Sequence, residues 1–278
     1  MIVERLEQIY TVRELESGIF RIGNSMVFMD LIVGRDRALL FDTGYGFGSL
    51  KELVRGITDK PLIVVNSHGH VDHACGNEQF GGAYIHPLDM ALCREHNGPE
   101  MRMAELEMAQ VPLDFSLEDY LALGTGALLP VAEGHRFELG GLSLEVIHLP
   151  GHTAGSIGLW CPERKLLWVG DAINCFVWLF LPEAQPLSTY IQTLHRAAAL
   201  PFARMIQSHE PDPVPKSKLW DYLDLAENLD FEGGTPVDAP LGFAGETRIC
   251  TRLGLHYDDD RSHPGFAAIM ISRENASR

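Results

Sequence analysis

Apolar residues in the first third of the chain come in short runs broken by glycine. "GIFRIG" (18–23), "MVFMDLIVG" (26–34) and "RALLFDTG" (37–44) read as strands. "GSLKELVRGI" (48–57) places Leu50, Leu53, Val54 and Ile57 at helical spacing. "PLIVVNSH" (61–68) follows as an uninterrupted apolar run, the pattern of a strand buried on both faces. Strand, helix and strand make a βαβ unit, and ligands in such folds collect beyond the carboxyl ends of the strands. Over 87–124, "DMALCREH", "MRMAELEMAQ" and "SLEDYLALG" predict helices, the last with Ser116 as its N-cap. A helical insertion is expected at about 87–134, serving either as a lid or as ordinary helices whose methionines fill the core. Strands return at 136–151, a hairpin turning at Gly140-Gly141, and at 156–171, turning around Pro162–Lys165. Helices are expected over 187–200 and 217–229, and last strands at 247–255 and 265–272. No linker interrupts the pattern, so residues 1–278 are expected to fold as one α/β domain.

The remaining chemistry is concentrated after the valine strand. "SHGHVDH" (67–73) sets His68, His70, Asp72 and His73 within six positions. A structural histidine is a common solitary feature; a cluster of this density on a glycine-containing loop is the signature of a metal site. A loop so short cannot aim four side chains at one point. Spacing of two lets His68 and His70 converge on one ion, while Asp72 and His73 turn towards a neighbour. Such a donor set suits zinc, and also iron or manganese. A dinuclear site needs further ligands, and His152, Asp171 and His209 each stand at the end of an expected strand. A carboxylate such as Asp171 can bridge two cations.

These pieces, "FDTG" (41–44), "SHGHVDH", "PGHTAGS" (150–156), "GD" (170–171) and "SH" (208–209), resemble the metallo-β-lactamase superfamily and occur in its order. The resemblance implies a four-layer αββα sandwich of two mixed β-sheets with metals at one edge. It implies that His68, His70 and His152 hold the first ion, that Asp72, His73 and His209 hold the second, and that Asp171 bridges them. Two Zn2+ are expected, with Fe or Mn as alternatives. Asp42 is implied as the carboxylate that fixes the metal loop by hydrogen bonding; capping a turn before Gly44 is its other reading. A metal-bridging hydroxide would attack an ester-like carbonyl bond of a thioester, lactone or β-lactam, with Asp72 orienting it and passing a proton to the leaving group. The alternatives are a phosphodiesterase or nuclease of the same fold and a mononuclear iron sulfur dioxygenase. Tyr45 and Phe47, and Phe176, Trp178 and Phe180 after Asp171, could form an apolar substrate wall or lie in the core.

Composition narrows the partners. With 38 acidic and 22 basic residues the net charge is −16, which disfavours nucleic acid and leaves a small-molecule substrate. No apolar run reaches the length of a membrane span, and "MIVERLEQIY" carries no secretory pattern. Five scattered cysteines fit reduced thiols in a cytoplasm.

Overall fold

The computed structural model describes residues 9–109, 116–240, 243, 245–258 and 263–277; residues 110–115 of the expected insertion lie outside them. Seven strands form the first sheet in chain order: β1 (Thr11–Glu16), β2 (Ile19–Asn24), β3 (Val27–Val33), β4 (Ala38–Phe41), β5 (Leu62–Val65), β6 (Gly82–Ile85) and β7 (Ala127–Pro130). The first four run antiparallel, and β4 to β7 are parallel. The second sheet has the order β14-β13-β11-β10-β9-β8, from β8 (Arg136–Glu138), β9 (Ser143–His148), β10 (Ile157–Cys161), β11 (Leu166–Gly170), β13 (Arg204–Gln207) and β14 (Val214–Pro215).

Period-two alternation sorts these strands into layers. In β4, Leu39 and Phe41 face the second sheet, while Ala38 and Leu40 face α1 (Leu50–Ile57). In β11, Leu166 and Trp168 point inward, and Leu167 and Val169 face α6 (Leu187–Ala199) and α7 (Lys218–Glu227). Both faces of these central strands are therefore covered, which is why they read as unbroken apolar runs, whereas edge strands such as β1 are exposed. Helix, sheet, sheet and helix form the expected four-layer αββα sandwich.

Two features depart from the expectation. A third sheet, order β12-β17-β16-β15, joins β12 (Phe176–Leu179) to three C-terminal strands: β15 (Thr235–Val237), β16 (Thr247–Thr251) and β17 (Ala268–Ser272). The expected insertion is helical only in its first part. It comprises α3 (Met90–His96), α4 (Pro99–Ala109) and α5 (Leu117–Ala122), after which the chain re-enters the first sheet as β7. Arg102 of α4 is fully buried and donates to the carbonyls of Asn97 and Cys75, each at 3.0 Å, so this segment is bolted to the loop of histidines.

Trp168 lies wholly inside the cluster between the two sheets. Trp168→Ala should cost about 3–5 kcal/mol through lost burial and the cavity left behind. The check is a lower denaturation midpoint at unchanged m-value in chemical unfolding of the metal-free protein.

Candidate metal centre

The predicted ligands arrive from the carboxyl ends of four strands on one edge of the sandwich, and the supporting Asp42 from a fifth. Asp42 follows β4, the 66–73 loop follows β5, His152 follows β9, Asp171 follows β11 and His209 follows β13. Two backbone hydrogen bonds knit the sheets together at this edge, from Phe28 to the Ser208 carbonyl and from Ile157 to that of Ser67, both 2.8 Å. The loop then enters a single helical turn, α2 (Val71–Ala74), which carries Asp72 and His73.

Two glycines allow the loop its position. A Cβ on Gly69 would stand 2.8 Å from the Cys93 nitrogen and 2.9 Å from the Asp89 carbonyl oxygen. Gly170 sits at φ +55°, and a Cβ there would meet the Ser67 Cβ at 2.6 Å, so glycine lets the loop pass. Asp89, fully buried, accepts hydrogen bonds from Gly69 N at 3.0 Å, Gly155 N at 2.7 Å and Thr153 Oγ1 at 2.7 Å. It therefore ties the 66–73 loop to the loop that carries His152.

All seven predicted ligands are brought together. The ligand atoms of His68, His70 and His152 lie within 4.8 Å of one another, as do those of Asp72, His73 and His209, and those of His68, His73 and Asp171. Asp171 stands between the sets: its Oδ2 is 3.0 Å from His209 Nε2, 3.6 Å from His73 Nε2 and 3.9 Å from His152 Nε2.

Each of the five imidazoles has its outward nitrogen engaged, which fixes its tautomer. His68 Nδ1 donates to Ser67 Oγ at 2.9 Å, and His73 Nδ1 to Asp42 Oδ2 at 3.0 Å. His152 Nδ1 donates to the Trp178 carbonyl at 2.9 Å, and His209 Nδ1 to the Met26 carbonyl at 2.7 Å. His70 Nε2 donates to Glu183 Oε1 at 2.6 Å. Asp42 also accepts from Ser67, at the backbone nitrogen (2.7 Å) and the hydroxyl (2.8 Å). It does so from the left-handed region, at φ +66°, where aspartate is better tolerated than most residues.

Of the inward atoms, some meet only one another, as His70 Nδ1 and His152 Nε2 do at 3.0 Å, and others are left over. His68 Nε2, His73 Nε2 and Asp171 Oδ1 are buried without a hydrogen-bond partner. Buried polar atoms are otherwise almost always satisfied. Lone pairs of imidazole and carboxylate aimed at one shared space are the donor set a divalent cation takes, so these residues fit metal ions. The electrostatics divide in the same way. Burial pushes His68 towards its neutral form and lowers His152 to about 4. Burial also opposes charge on His73, but Asp72, Asp171 and Asp42 outweigh it and raise its pKa well above normal. At His209 burial is again outweighed, chiefly by Asp171, and the pKa rises to about 9. One side of the centre thus offers neutral nitrogen donors, and the other has a field that favours cations.

The Metallo-beta-lactamase superfamily profile matches residues 22–230 of the chain. This chain belongs to the metallo-β-lactamase superfamily. It is 28% identical over 215 residues to the acyl-coenzyme A thioesterase MBLAC2 of Bos taurus, covering 69% of this chain and 76% of that protein. It is 30% identical over 139 residues to the hydroxyacylglutathione hydrolase of Brucella abortus (strain 2308), covering 50% of this chain and 44% of the other. Among solved structures, the metallo-beta-lactamase from Pontibacter korlensis superposes with a TM-score of 0.59 at 21% identity, covering 79% of this chain and 99% of that one. As a member of the superfamily the chain is an enzyme; superfamily members generally bind divalent metals, and this one carries candidate His and Asp ligands for them.

Over the superfamily's ligand edge lies a cavity of about 530 Å³. Tyr45, Phe176 and Trp178 line it. Phe47 and Phe180 do not. Phe47 is fully buried between Tyr45, stacked at 5.1 Å, and Tyr120 at 5.3 Å. Phe176 and Trp178 share one face of β12, but the strand ends at Leu179, and Phe180 turns into a cluster with Leu181 and Met270. Besides Asp89, three groups escaped the sequence reading. Glu105 of α4 lines the cavity, its carboxyl pushed up to about 8 by burial and by the charge of Asp72. His96 stacks on His70, and Glu183 closes the contact described above. Among other histidines, His86 stacks on His148 at 4.4 Å, and His195 is exposed and pairs with Glu227.

Asp89→Ala would strand three buried donors. The metal-free protein should lose about 3 kcal/mol or more, read from chemical denaturation. Metal content after dialysis should fall below wild type, because the two ligand-bearing loops lose their tie.

Proposed function

We propose that this enzyme is a dinuclear metal-dependent hydrolase that cleaves an ester-like carbonyl bond, with a thioester as its first substrate class. The observation that carries the reading is that His68 Nε2, His73 Nε2 and Asp171 Oδ1 are buried without partners where the ligand atoms converge in adjoining sets. The relatives add the bond class, since an acyl-coenzyme A thioesterase and a hydroxyacylglutathione hydrolase are both named for acyl groups carried on a thiol. The cavity agrees. Aromatic and aliphatic side chains such as Phe28, Phe176, Trp178 and Leu181 line it, and among the described residues no lysine or arginine does. Such a wall suits an apolar acyl group and gives a phosphodiester no cation to rest on.

His68, His70 and His152 would hold one ion and Asp72, His73 and His209 the other, with Asp171 between them; zinc matches this mixture of nitrogen and oxygen donors. When bound, two such ions lower the pKa of water towards neutrality and polarise a carbonyl oxygen. The chain's own part is positional and protic. Asp72 Oδ2 lies 3.2 Å from His73 Nε2 and 3.5 Å from His209 Nε2, so its carboxylate is held among the ligand atoms, where it could take a proton from an attacking water. It accepts that water's proton and delivers it to the departing thiolate sulfur. Trp178 and Phe176 hold the acyl group and exclude bulk water from the carbonyl.

Metal analysis of the purified protein, followed by turnover of a thioester, a lactone, a chromogenic cephalosporin and bis-p-nitrophenyl phosphate, tests the reading. Thioester hydrolysis should be the fastest, should vanish on chelation and should return with added zinc. Turnover of the phosphate alone would sink the assignment, and a single iron with oxygen consumption would replace it by a dioxygenase. Asp72→Asn should lower kcat by about 10²–10⁴-fold, as expected for loss of a proton-transferring group, with metal content measured alongside.

A further inference from the structure

Glu183 belongs to none of the motifs that carry the ligands. It sits in the turn between β12 and α6, yet its carboxylate reaches His70 Nε2 at 2.6 Å, with side-chain exposures of 19% for Glu183 and 8% for His70. The turn is built to put it there. Gln185 N donates to the Gly151 carbonyl at 2.7 Å, and Gln185 Nε2 to the carbonyl of Glu183 itself at 3.1 Å. Asn275 Nδ2 donates to the Leu179 carbonyl at 2.9 Å, where the turn begins. On the other side, the His96 ring lies almost parallel to that of His70, at 4.9 Å and 17°. His70 is therefore held at its outer edge by a carboxylate and on one face by an imidazole. Its Nδ1 is left facing His152 Nε2, 3.0 Å away, in the space that His68 Nε2 also faces.

We propose that Glu183 is the positioning residue of the first ion site, accepting the Nε2–H of His70 so that the Nδ1 lone pair is presented to the metal. The inference rests on the dinuclear reading above. Its physical basis is that a carboxylate behind a ligand histidine selects the tautomer, aims the ring and raises the basicity of the coordinating nitrogen. Glu183 differs from the other outward partners. His152 and His209 donate to backbone carbonyls, which no substitution removes, and Ser67 and Asp42 serve two histidines through one shared network. Glu183 contacts one ligand of one ion. Its loss should act on that ion alone.

The experiment compares wild type with Glu183→Ala and Glu183→Gln. Zinc affinity is read by competition with a chromogenic chelator, and the coordination sphere by the visible absorption of the cobalt-substituted protein. Circular dichroism and thermal unfolding of the metal-free forms report on folding. Glu183→Ala should weaken one of two ions by about 10–100-fold, the range for a lost partner behind a ligand. The other ion should keep its affinity, the cobalt bands should shift, and metal-free stability should stay near wild type. Glu183→Gln should fall between, since its amide oxygen accepts the same hydrogen bond without the charge. Two ions at wild-type affinity with unchanged cobalt bands would overturn the role of Glu183 and leave the dinuclear reading standing. Equal weakening of both ions with a destabilised metal-free fold would also overturn it, making the contact merely structural. So would a third ion in wild type, because His70, His96 and Glu183 would then be a site in their own right. A wild-type chain that takes up no ion would overturn both readings together.

Discussion

The buried carboxylate of Asp42 is the fixed point of the centre. It stands at the end of a strand enclosed on both faces, is fully buried, and accepts three hydrogen bonds from two residues of the histidine loop. Those bonds set the start of the loop at Ser67 and its far end at His73. Everything between, His68 to Asp72, is thereby held in place against the second sheet. The residue occupies a backbone region that costs conformational energy, and the three charge-assisted bonds offset that cost. The loop is one of the places where the two sheets are joined, through the Ile157 nitrogen on the Ser67 carbonyl.

Most of the centre was legible because its chemistry is local or terminal. His68, His70, Asp72 and His73 announce themselves by density, and His152, Asp171 and His209 by falling at the ends of apolar runs. The core was legible for a related reason: strands covered on both faces lack polar interruptions, and β4, β5 and β11 have none. The supporting carboxylates were not legible. Asp89, Glu105 and Glu183 are solitary acids in unremarkable contexts, and what makes each matter is a partner 20 to 113 positions away in the chain or a cavity formed by several elements. Phe47 and Phe180 show the limit of reading a wall from aromatic content. Parity along a strand predicts which side chains share a face only while the strand lasts, and β12 stops one residue before Phe180. The third sheet was hidden because its members are far apart in the chain and its first strand looks like a loop rich in aromatics.

The histidines also show how a protein can be built for ions through the residues that do not touch them. An imidazole with both nitrogens free can rotate and choose either tautomer. Here every outward nitrogen is spoken for, by a hydroxyl, two backbone carbonyls or two carboxylates, so the inward geometry exists before any cation arrives. Preorganisation of this kind lowers the entropy lost on binding. It also keeps the unpaired lone pairs apart from bulk solvent, where they would be satisfied by water.

The third sheet bears on where this enzyme ends as a working unit. The superfamily match closes at residue 230, and every proposed ligand precedes that point. Yet β12, which presents Phe176 and Trp178 to the cavity, is paired along its length with β17, from Phe176 opposite Ala268 to Leu179 opposite Ile271. Tyr257, between β16 and β17, packs on Phe176 at 4.4 Å and lines the cavity as well. A chain trimmed to the matched region would keep its donors and lose the partner of one pocket wall, leaving an open strand edge beside the reactive centre. The matched portion thus carries the candidate ligands and most of the cavity wall, and the C-terminal strands pair with one part of that wall.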